Sequence, residues 1–99
     1  MSNEYLKVED VMTAFLESTG LTHEKFAEAL NEKLVNIDID RVSVTNWKNG
    51  KSAPHTDFLL VCAVVYRNWI RTWAIACLKV KLPEVFDSGM VSFNTRKAE

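Results

Sequence analysis

Apolar residues recur along this chain at helical spacing, in short runs cut apart by glycine or proline, while strand signals are weak. Val8, Val11, Met12, Phe15 and Leu16 share one face of a helix predicted over about 3–19, with Asn3 as its cap, Glu4 behind it and Gly20 as its stop. Thr22 caps a second helix, about 22–35, with Phe26, Ala27, Leu30 and Leu34 as its stripe. Asp40 caps a third, about 41–49, that turns only Val44 and Trp47 inward and ends at Gly50. Pro54 forces a turn. A fourth helix follows from Thr56 to about Tyr66, apolar nearly all round and expected to be central, then a fifth from about Asn68 to Leu82, stopped by Pro83. The pattern predicts an all-α, five-helix bundle with a short C-terminal tail. Residues 1–86 form the domain, and 87–99 a flexible or oligomer-pairing segment.

At 99 residues, 47% of them apolar, the chain has material for one domain with one modest core. The acids Glu4, Glu9 and Asp10 occupy the place where a secretory leader would be basic and then apolar. The longest uncharged apolar run, Phe58 to Tyr66, is well short of the roughly 20 residues a spanning helix needs. Cys62 and Cys77 lie within helical apolar patterns and are expected to be free and buried, a facing-helix disulfide being the alternative. Two cysteines in so short a chain suit a cytoplasmic protein.

The net charge of −1 hides a sharp polarity. Residues 1–40 hold nine acids and three bases, a balance of −6. Residues 41–81 hold seven bases (Arg41, Lys48, Lys51, Arg67, Arg71, Lys79, Lys81) against Asp57, a balance of +6, and residues 82–99 add −1. Such a division lets one face attract phosphate while the rest keeps the protein soluble.

The segments Thr22-His23-Glu24-Lys25-Phe26-Ala27 and Val44-Thr45-Asn46-Trp47-Lys48-Asn49-Gly50-Lys51-Ser52-Ala53-Pro54 together resemble the phage repressor and Cro type of helix-turn-helix. That family has a Thr-Gln-x-x-Leu-Ala opening and an Ile/Val-Ser-x-Trp-x-x-Gly-x-x-x-Pro close. The resemblance covers about residues 5–66 and implies a lambda-repressor-like bundle. One departure stands out. Ala27 and Trp47 are 20 positions apart, about seven more than the family pattern has, so the second helix or the turn around Glu32 to Asp38 is lengthened, and the usual turn glycine is missing.

The resemblance implies a sequence-specific regulator of double-stranded DNA, repressor-like, with 41–49 as recognition helix in the major groove. On matched positions, Arg41 opens that helix and reads guanine, and Val42 meets a thymine methyl. Ser43, Thr45 and Asn46 reach base edges or phosphate. Asn49 and Lys51 contact phosphate beyond the helix end, and Lys48 adds a salt-dependent contact. His23 binds backbone phosphate at a helix N-terminus. Relatives of this kind bind as dimers, with the fifth helix and Met90 to Phe93 as the candidate faces. The rival reading is a helix-turn-helix-derived protein-interaction module (adaptor, antitoxin or inhibitor) without DNA binding, keyed to Trp69 or Trp73. No catalytic or metal motif is present: His23 and His55 stand at no recognised spacing from a cysteine or acid. No enzyme activity, cofactor or small-molecule effector is expected.

Overall fold

A computed structural model of the chain describes residues 7–83. The bundle is all-α: α1 Val8–Thr19, α2 His23–Asn31, α3 Arg41–Lys48, α4 Thr56–Val65 and α5 Trp69–Lys81. The expected cap at Asn3 and the stretch Met90 to Phe93 lie outside the described residues, as do the whole of the proposed tail, 87–99, and its boundary. α1 begins at Val8 rather than near residue 3, because Lys7 has extended backbone; Glu9 and Asp10 then occupy the first turn, where acids offset the positive helix end. Gly20 closes α1 at φ 71° and donates its N–H to the Leu16 carbonyl.

α2, α3 and α5 each start on a side-chain cap. Thr22 Oγ1 accepts from the Lys25 N–H at 3.1 Å, Asp40 Oδ1 from Ser43 at 2.9 Å, and Asn68 Oδ1 from Ile70 at 3.0 Å. At α4 the cap position falls to His55, one residue before the expected Thr56, and makes no side-chain bond.

α2 ends at Asn31, so the extra residues form a nine-residue connector, 32–40, rather than additional helix. Two tertiary interactions stop the helix. Tyr66, fully buried, donates its hydroxyl to the Leu30 carbonyl at 2.5 Å and accepts from the Lys33 N–H at 3.0 Å. Asn31 reaches forward to the connector's far end, donating to the Ile39 carbonyl at 2.7 Å and accepting the Ile39 N–H at 2.8 Å. One amide side chain thus satisfies both backbone groups of Ile39. Leu34, Ile37 and Ile39 pack their side chains against the core.

Trp73, fully buried on α5, is the hub of that core. Its ring stacks on Trp47 of α3 at 6.0 Å and meets Phe26 of α2 and Phe58 of α4 edge-on at 5.6 and 6.4 Å. Its indole N–H points to Met12 Sδ of α1 at 3.1 Å. One side chain therefore touches all four other helices. Among the described residues no helix is long and apolar enough to cross a membrane.

Candidate nucleic-acid interface

α3 packs into the core through Val44 and Trp47 alone. Its first residue follows the Asp40 cap, and the Ser43 N–H bond also lowers the Asp40 carboxyl below its ordinary range, keeping the cap ionised. Val44 and Trp47 are buried, and at 100° per residue the ridge opposite them carries Val42, Thr45, Asn46 and Asn49. Arg41 and Lys48 flank this ridge on one side and Ser43 on the other. Arg41, Val42 and Asn49 are exposed, whereas Ser43, Thr45, Asn46 and Lys48 are half-buried. No acid lies within the helix.

The end of α3 is tightly tied. The Asn49 N–H bonds Thr45 O at 3.0 Å, Gly50 bonds Trp47 O at 3.3 Å, and Lys51 and Ser52 both donate to Asn46 O, at 2.9 and 3.4 Å. This wrapped turn leaves the Lys51 side chain exposed just past the helix end. Gly50 has φ 80°, and the Glu9 carboxylate of α1 lies against its Cα, also paired with Lys7 at 3.6 Å. An acid therefore borders the C-terminal rim of α3, partly offset by Lys7. Lys7 and Glu9 shape this rim, and the sequence contains no local signal that α1 and Gly50 meet.

Two of the sequence-designated contacts engage each other. His23 Nδ1 and Thr45 Oγ1 are 2.7 Å apart, fastening the start of α2 to the middle of α3. The geometry leaves His23 Nε2 as the ring nitrogen not used in that bond. Arg41, Val42, Asn46, Lys48, Asn49 and Lys51 remain gathered on α3 and its following turn. Farther away, Lys81 turns back to donate to the Pro54 carbonyl at 2.5 Å, so it serves as a structural tie between α5 and the turn before α4.

Beside α3 an apolar groove of about 590 Å³ runs between Ile37 and Ile39 of the connector, Ser43 and Trp47 of α3, and Phe58 and Val61 of α4. Ile37 and Ile39 of the long connector supply part of its lining. Cys62 and Cys77 are free thiols in the core, and burial pushes the Cys62 thiol up to about 12 and the Cys77 thiol higher than its ordinary value. Such thiols remain protonated and inert at neutral pH. Compared with known proteins, the chain matches no family model, no curated protein and no solved structure.

Proposed function

We propose that the chain is a sequence-specific, double-stranded DNA-binding regulator of the repressor type, acting in the cytoplasm, with α3 lying in the major groove. The observation that carries this reading is the sparse burial of α3: only Val44 and Trp47 are buried, and apart from the exposed Val42 the rest of the helix carries hydrogen-bonding or cationic side chains and no acid. An α-helix of that kind fits the groove and presents donors and acceptors to base edges. Arg41 is the reader of guanine, Asn46 of adenine or a phosphate, and Val42 meets a thymine methyl. Ser43 and Asn49 add polar contacts, and Lys48 and Lys51 supply salt-dependent phosphate contacts. His23 supports the interface by locking Thr45 through Nδ1 and offering Nε2 to the DNA backbone.

The test begins with selection of bound sequences from a random duplex pool, followed by mobility shifts on the selected site. Arg41→Ala and Asn46→Ala should each weaken specific binding by about 1–3 kcal/mol, roughly 5- to 150-fold, with helicity unchanged. Lys51→Ala should weaken binding to all sequences alike and lower the salt slope by about one. Recovery of no enriched sequence, together with equal retention of the Arg41→Ala variant, would refute the reading.

The apolar face of α4 favours a second reading, a protein-interaction module without DNA binding. Exposed Leu60, Val61, Val64 and Val65 are an unusual surface for a protein whose only partner is a polyanion. Trp73 is unsuitable for testing it, because its truncation would hollow the core; loss of function on changing Val64 alone, with Arg41 and Asn46 dispensable, would select this alternative.

A further inference from the structure

α4 is apolar on both sides. Phe58, Leu59, Cys62 and Ala63 face the core, while Leu60, Val61, Val64 and Val65 face solvent, Val64 at 65% exposure. Residues 57, 60, 61 and 64 follow the i, i+3, i+4, i+7 spacing of a single helical face. Asp57 therefore stands at one end of the apolar stripe, and Arg67 lies just past the other. Both are exposed, and neither forms an ion pair among the described residues. α5, by contrast, spends Ile70, Trp73, Ala74, Cys77 and Leu78 on the core, so the face expected on the fifth helix is largely consumed.

We infer that α4 is a self-association surface, packed antiparallel against α4 of a second copy across a two-fold axis. A two-fold contact must be self-complementary: what one copy offers at one end, the other must accept at the opposite end. The α4 stripe meets this requirement. Setting Val61 against the second copy's Val64, and Leu60 against its Val65, brings each Asp57 beside the other copy's Arg67. Opposite charges thus close both ends of an apolar seam with no like-charge pair opposed along it. Valine side chains are short enough to let two helices approach closely. The seam continues into the groove through Val61.

The size of the surface sets the strength. Ten residues of helix are about 15 Å long, too little alone for the ~800 Å² per partner of a standard interface. The dimer is accordingly weak, with dissociation in the micromolar range. It requires no DNA, so its test is separate from that of the DNA-binding reading.

Sedimentation velocity of the full chain without DNA, from low to several hundred micromolar, should show a reversible monomer–dimer equilibrium. Val64→Glu should weaken it at least about tenfold with unchanged helicity, since a buried carboxylate would replace a valine contact on each side. Arg67→Asp should weaken it severalfold by setting Asp57 against a second acid, and the double exchange Asp57→Arg with Arg67→Asp should restore it. Restoration would distinguish the antiparallel pairing from unspecific apolar adhesion. A chain that stays monomeric throughout overturns the inference; dimerisation appearing only after removal of residues 84–99 would also overturn it, assigning the stripe to that segment. A dimer indifferent to Val64→Glu and to the charge exchange places self-association elsewhere and overturns it as well.

Discussion

Gly50 combines two constraints that no other residue satisfies together. Its φ of 80° lies where a side chain is strained, and an added Cβ would collide with the Glu9 carboxylate of α1. Gly50→Ala should therefore lower stability by about 1–2 kcal/mol, the strain of the left-handed backbone being the larger part because the Glu9 side chain can swing away. Urea melts of the variant check this, and a variant as stable as the parent would show that the turn relaxes. The backbone half of this constraint was legible in the sequence, since glycine after a polar helix signals a left-handed stop. The Glu9 half was not, because residues 9 and 50 meet only once α1 packs on α3. The same division holds for Thr45. The family resemblance marked it as an expected groove contact, but its bond to His23 depends on how α2 crosses α3. Asp40 and Trp47 were fully readable, one as a cap three residues from its N–H donor and the other as the inward partner of Val44.

At the scale of elements, the five helices of the described residues were predicted in the right order because each is specified by its own apolar pattern and stops. Their lengths were less legible. The surplus between Ala27 and Trp47 was countable, yet nothing local decided whether helix or turn absorbs it. Asn31 and Tyr66 decide it by capturing Ile39, Leu30 and Lys33. Asn31→Ala should cost about 1–3 kcal/mol, because both backbone groups of Ile39 lose their partner, and should raise amide hydrogen exchange at Ile39 well above that in the α2 interior. Unchanged protection at Ile39 would mean that apolar packing alone holds the connector. α4 is the other case. Its nearly continuous apolar sequence predicts a central helix, but a helix apolar all round gives no indication of which side the rest of the chain will cover. α5 covers one side; the other is left to solvent or to a second copy.

For the molecule as a whole, the core is one aromatic cluster joined to two thiols, and the thiols couple stability to alkaline pH. In the unfolded chain Cys62 ionises near 9.0, while in the fold burial holds it protonated to about 12. The unfolded state therefore releases protons first as pH rises. Stability is unaffected by this group below about pH 9 and falls as pH climbs from there toward about 12, with Cys77 acting in the same direction. Urea midpoints should drop across that window, and the drop should be smaller when both cysteines are alanine. An equal drop in that double variant would locate the coupling in other groups. The same protection should leave both thiols unreactive toward a thiol reagent at neutral pH until the protein unfolds.

The five helices of the described residues, the caps at Thr22 and Asp40 and the inward stripes of α1, α2, α3 and α5 follow from the sequence alone, because they depend on groups within about one helical turn of each other. The path of the connector, the His23–Thr45 link, the acid beside Gly50 and the bare side of α4 were decided by tertiary structure. Each depends on side chains that are distant in sequence or on which of two equivalent apolar faces finds a partner, and helical periodicity carries no information about either.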